Sequence, residues 1–191
     1  MKNNESEAEK NEKEKLRLYM QEKAFKKGEF RLASGKISKY YFNSKNVILT
    51  AEGAYLTAKA ILNKIKDHKF DALGGAAMGA VPITGSLAPL LYEAGFKDIT
   101  FFIDRKQAKD HGDTKRIEGP ELQPGSRLII VEDVVTTGGS SLATALYLRE
   151  QGHEILKIVP ILDRKEGAEE AFSTEGFNLD PLFTVADFDT D

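Results

Sequence analysis

The sequence predicts an α/β fold, a mostly parallel sheet with helices on both faces. Three observations carry this. Residues 99–103 (ITFFI), 127–131 (RLIIV) and 155–162 (ILKIVPIL) are apolar runs rather than alternating ones. Such runs belong to strands buried on both faces, as in parallel sheets between two helical layers. Helical stretches alternate with them, and 191 residues suffice for one domain of this kind with a real core.

The elements follow in order. Residues 1–15 hold four lysines and five glutamates and no large apolar side chain after Met1. They are expected to form a charged, disordered or solvated tail, because they bury too little to offset the entropy of ordering. Residues 16–191 then form the single domain. Leu16, Met20 and Ala24 recur every four residues, with Phe25 alongside, and predict a helix ending at Gly28. Residues 30–43 (FRLASGKISKYYFN) place a Ser-Gly-Lys turn between β-type residues and predict a hairpin. Leu56, Ala60, Ile61 and Ile65 predict a helix over 54–65. A short strand begins at Ala72 and ends in Gly74-Gly75. A helix follows from about Pro82, where a missing N–H is harmless in the first turn. A helix over 140–151 leads into the last strand, and Pro160 places that strand near an edge or end.

Composition excludes several classes. There is no cysteine, hence no disulfide, thiolate metal site or cysteine nucleophile. The three histidines (His68, His111, His153) are not spaced as a zinc pair. With 27 basic and 30 acidic residues, the net charge of −3 argues against a nucleic-acid partner. The N-terminus has no apolar signal-peptide core. The uncharged stretch 72–92 carries glycines and prolines that break it into strand, loop and helix, so no membrane association is expected. A cytoplasmic location is the expectation.

The chemistry concentrates in residues 128–141, LIIVEDVVTTGGSS. An apolar strand leads to two adjacent carboxylates, Glu132 and Asp133. A loop of small and hydroxyl residues follows, then a helix from Ser140 or Ser141. Ligands of open α/β sheets bind at the C-terminal strand ends. Backbone N–H groups of a small-residue loop beside a helix N-terminus cradle phosphate. Neither a Walker A loop nor a G-x-G-x-x-G fingerprint is present. What remains suits a sugar phosphate, with the phosphate in the loop and the sugar hydroxyls on the carboxylates.

VEDVVTTGGSS resembles the 5-phosphoribosyl 1-pyrophosphate (PRPP) motif of the type I phosphoribosyltransferases. Residues 105–119, RKQAKDHGDTKRIEG, resemble the R-K-x-x-K-D-H-G loop of the orotate phosphoribosyltransferases. FRLASGKISKYYFN and ILDRKEGAEE are similar to two further motifs of that family, in the same order along the chain. Together the matches run from about Phe25 to about Phe188. Ala33 and Met78 depart from family members that carry lysine at those positions; Lys36 and Lys45 are candidates to replace part of that charge.

The resemblance implies a hood-like N-terminal subregion and transfer of ribose 5-phosphate from PRPP to orotate, in UMP synthesis. It assigns Arg105, Lys106, Lys109 and His111 to the pyrophosphate, with Lys109, His111 and Asp133 catalytic. Glu132, Asp133, Val134, Val135, Thr136, Thr137, Gly138, Gly139 and Ser140 form the rest of the PRPP site. Arg164 matches the orotate-binding arginine, Thr136 is near the base, and Tyr41 and Phe42 are candidates to stack on its ring. Mg²⁺ is the implied cofactor, held mainly by PRPP and water, with Glu132 and Asp133 behind it and no direct protein ligand. A homodimer is implied, with the loop from Lys106 to about Arg116 acting as a lid over the neighbour's site. Two alternatives stand beside this: a phosphoribosyltransferase for another base, and a non-catalytic PRPP-sensing regulator.

Overall fold

The structure is a computed structural model, and it describes residues 6–31, 37–105 and 115–189. The chain begins with α1 (Glu7–Lys23), followed by β1 (Phe25–Arg31) and β2 (Ile37–Phe42). Next come α2 (Lys45–Ile48), α3 (Ala51–Ile65), β3 (Ala72–Ala76), α4 (Ala80–Glu93), β4 (Thr100–Asp104) and β5 (Ile117–Glu118). The last part holds β6 (Arg127–Val135), α5 (Gly139–Glu150), β7 (Glu154–Asp163), α6 (Ala168–Thr174) and β8 (Phe183–Thr184). The main sheet has the order β5-β4-β3-β6-β7-β8. Its strands run parallel except β5, which is antiparallel to β4.

Alternation along β6 divides the core. Ile129 and Val131 face Leu16 and Met20 of α1 and the apolar sides of α3 and α4. Leu128 and Ile130 face the other way, toward Ala145 and Leu148 of α5 and Phe172 of α6. All of these are buried, which is why the strand reads as a continuous apolar run. Pro160 sits on β7 where backbone groups face the edge segment: Leu182 donates to its carbonyl at 2.9 Å. Its missing N–H therefore points at the sheet's edge, as expected.

The N-terminal subregion is a separate two-stranded antiparallel sheet of β1 and β2. Phe25 anchors it, stacking on Phe188 at 4.5 Å and meeting Phe42 at 4.8 Å. The predicted Ser-Gly-Lys turn of this hairpin lies outside the described residues.

Three boundaries differ from the sequence reading. The tail is helical from Glu7, nine residues before Leu16. Ser6 and Glu9 close a capping box, Glu9 pairs with Lys66, and Glu12 lies 3.7 Å from Lys59. These contacts hold a segment with no apolar face, and the packed turns after Leu16 supply the nucleus it extends. The same helix stops at Lys23, not Gly28. Asn46 donates to the Lys23 carbonyl at 3.1 Å, and the chain turns into β1, where Gly28 sits at φ 145 beside a register shift. Finally, β6 runs on to Val135, so the acidic pair lies within the strand.

Candidate active site

Strand alternation starts the two side chains on opposite faces of β6, and their carboxyl groups still meet beside Gly79. Glu132 faces α5 and accepts a hydrogen bond from Ser141 Oγ at 2.8 Å. Asp133 faces the other way, accepting from Ser44 Oγ at 2.5 Å, with Lys45 Nζ at 3.4 Å. Neither serine was predicted from sequence. Ser44 is buried just after β2, and its partner lies 89 residues on, so no local signal marks it. Lys45, one of the two candidate replacements for the absent lysines, does reach the acidic pair. Lys36 and Ala33 lie outside the described residues, and Met78 is exposed.

The two acids differ in charge state. Burial, reinforced by the charge of Asp133, pushes the Glu132 carboxyl up to about 7, against the hydrogen bond from Ser141. Burial also opposes ionisation of Asp133. The Ser44 hydroxyl, the Glu132 carboxyl and Lys45 outweigh it and hold Asp133 below the usual carboxylate range. Asp133 is thus the fixed negative charge, and Glu132 is poised to carry a proton near neutrality.

Gly79, at the start of α4, packs against both. A Cβ there would lie 2.4 Å from Glu132 Oε1 and 2.5 Å from Asp133 Oδ1. Only glycine lets the backbone come this close.

The loop after β6 has the expected form. Thr136, Thr137 and Gly139 are exposed, and Gly138 adopts φ +78 with its Cα against Phe172 and Ala168. The first N–H groups of α5, which begins at Gly139, have no intrahelical acceptor. The Val134 and Val135 side chains pack against the core, which leaves only their main chain to face a ligand.

Arg164 follows β7 directly, and its N–H donates to the Val135 carbonyl at 3.0 Å, tying it to the loop's start. Its guanidinium lies over the Tyr40 ring at 4.9 Å and pairs with Glu166 at 2.9 Å. The aromatic neighbour of Arg164 is Tyr40. Phe42 is core, against Phe25, and Tyr41 lies on the opposite face of β2 beside Phe30. Strand alternation places Tyr41 on the face opposite Tyr40 and Phe42.

Arg105 pairs with Glu118 across the start of the predicted lid. Lys106, Lys109 and His111 lie outside the described residues. Cavities of 380 Å³ beside Lys165 and Glu169 and of 330 Å³ beside Tyr147 and His153 are lined by neither the acidic pair nor the loop. No described helix is long and apolar enough to cross a membrane.

The family of phosphoribosyl transferase domains matches residues 31–185. The orotate phosphoribosyltransferase of Bradyrhizobium sp. (strain ORS 278) is 40% identical over 169 residues, 87% of this chain and 91% of that protein. The chain belongs to the orotate phosphoribosyltransferases. The Synechocystis member is 39% identical over 165 residues, covering 86% of this chain and 82% of its own. Among solved structures, orotate phosphoribosyltransferase of Mycobacterium tuberculosis in complex with PRPP has a TM-score of 0.75 at 26% identity, covering 92% of this chain and 98% of that one. An adenine phosphoribosyltransferase of Rhodothermus marinus reaches a TM-score of 0.64 at 16% identity, covering 92% and 99%. That likeness shows the fold alone, so the base an orotate phosphoribosyltransferase takes is a matter of its side chains.

Proposed function

We propose that this enzyme transfers ribose 5-phosphate from PRPP to N1 of orotate, giving orotidine 5′-monophosphate and pyrophosphate in pyrimidine biosynthesis. The bond from C1 to the pyrophosphate oxygen breaks, the bond from C1 to N1 forms, and the N1 proton leaves. The observation that carries the choice of base is Arg164, almost buried against Tyr40 and tied to the phosphate loop. A guanidinium suits the orotate carboxylate, which it binds with two parallel hydrogen bonds. Glu166 balances the Arg164 charge at 2.9 Å, and the buried Arg164 Nε makes no hydrogen bond among the described residues.

Thr136–Ser140 hold the 5′-phosphate on main-chain N–H groups. Asp133, ionised, takes the ribose hydroxyls and faces the positive charge that develops at C1 in an oxocarbenium-like transition state. Glu132, when protonated, donates to Asp133 and keeps it in place. Arg105, Lys106, Lys109 and His111 are assigned to the leaving pyrophosphate, and the loop that starts at Lys106 to the neighbouring subunit's site in a homodimer, its far end held in its own chain where Arg116 pairs with Asp104.

The acidic pair fits Mg²⁺ brought in on the substrate. Glu132 and Asp133 give that metal a charged backing, with PRPP and water as its main ligands. When bound, the metal neutralises pyrophosphate charge.

A base panel tests the reading. With PRPP and Mg²⁺, orotate should release pyrophosphate, and uracil, adenine and hypoxanthine should not. Arg164→Ala should raise the KM for orotate by about 100-fold, the worth of a charged, two-point contact. Equal turnover of uracil and orotate by the wild type would overturn the assignment.

A further inference from the structure

Asp104 ends β4, is fully buried, and takes no part in the mechanism above. Its carboxylate receives Arg116 at two points, Nε at 2.8 Å and Nη2 at 2.7 Å. It also accepts from Thr144 Oγ1 of α5 at 2.6 Å. Its backbone carbonyl takes the Ala77 N–H at 2.8 Å, and Ala77 leads into Gly79, which packs on the acidic pair. Arg116 is held in turn: it donates to the Ala143 carbonyl at 3.2 Å and lies over the Tyr147 ring at 4.2 Å.

The register of α5 gives these contacts their meaning. Ser141 and Thr144 are three residues apart and so lie on one helix face. Ser141 is bonded to Glu132 at the end of β6, and Thr144 to Asp104 at the end of β4. Two buried carboxylates on different strands therefore grip the same face of the helix within its first two turns. Ala145 and Leu148 pack that face on the sheet, and the Ser141 bond alone fixes only the first turn. The second grip sets the helix's rotation, and the rotation sets where the N–H groups of Gly139–Ser141 point.

We propose that Asp104 is a positioning residue for the phosphate cradle, acting through Thr144, and that Arg116 is the counter-charge that makes a buried carboxylate tolerable there. The proposal rests on the reading of 136–140 as the 5′-phosphate site. Its effect belongs to PRPP, not to the base. A merely structural role would lower stability and leave the kinetic constants of the folded enzyme unchanged.

Thr144→Val keeps shape and volume and removes one hydrogen bond to a buried charge. It should raise the KM for PRPP about tenfold, the usual worth of such a bond. The KM for orotate should stay within about twofold. Thr144→Ser restores the hydroxyl and should restore the PRPP constant. Asp104→Asn should show the same split, more strongly; if it fails to fold, the Thr144 pair still decides. Calorimetric titration of PRPP into wild type and Thr144→Val without any base gives the same comparison independently of which base is used. Unchanged PRPP affinity in Thr144→Val, with only a lowered Tm, would overturn the proposal. So would equal shifts for PRPP and orotate, or no rescue by Thr144→Ser.

Discussion

Ser44 donates its hydroxyl to Asp133 Oδ2 at 2.5 Å, joining the loop after the N-terminal hairpin to the strand that carries the acidic pair. The bond makes the small sheet part of the site. It is also the strongest of the contacts that keep Asp133 ionised against its burial. Ser44→Ala should leave the fold intact, raise the Asp133 pKa and lower kcat/KM for PRPP about tenfold. Steady-state kinetics from pH 5 to 8 checks this: the variant's loss should be greatest at the acid end, where Asp133 takes up a proton.

Glu132 should give the free protein a pH-dependent stability. The folded state keeps a proton on it up to about pH 7, whereas an unfolded glutamate releases one near 4.5. Between those values the native state binds more protons, so this residue's contribution falls as pH rises and is level outside the window. The full difference is about 3 kcal/mol. Melting curves of wild type and Glu132→Gln from pH 4 to 8 test it. The wild type should lose roughly 5–10 °C more than the variant across the window. Parallel curves would show that Glu132 ionises normally.

Gly79→Ala would drive a methyl group into both carboxylates at contact distances of 2.4 and 2.5 Å. The backbone or the acids must shift, and displacement of about 1 Å at reacting groups costs on the order of 100-fold in rate. Turnover should fall by that order while circular dichroism stays native. Gly85→Ala on the same helix, where a Cβ meets nothing within 4 Å, serves as the control and should be neutral.

The proposed shared-site dimer predicts rescue between damaged subunits. Lys109→Ala and Asp133→Asn homodimers should each be nearly inactive. With random mixing, half the dimers are heterodimers, and each has one site with both parts intact, so activity should recover to roughly a quarter of wild type. Co-expression with two tags isolates the heterodimers. Verified heterodimers no more active than their parents would place Lys109 in its own chain's site.

Sequence alone determined the fold class, the four long strands of the main sheet in order, though not the two-residue β5 and β8, and the strand–acid–loop–helix unit of residues 128–141. All of these rest on local signals: the apolar run of a doubly buried strand, small residues that open a loop, a helix that begins where they end. It also placed Arg164 after the last long strand. Tertiary structure decided what those groups are paired with. It put Tyr40 beside Arg164, turned Tyr41 to the other face beside Phe30 through the pleat of the strand, and packed Phe42 into the core against Phe25. It extended α1 through a charged segment by way of Lys59 and Lys66, which no periodicity within that segment reveals. It set Glu132 and Asp133 on opposite faces and gave each its own serine, Ser141 nine residues away and Ser44 eighty-nine. Two adjacent acids read as equals in a sequence. Their burial and their partners make one a charge and the other a proton carrier, and both come from contacts that only the folded path of the chain brings together.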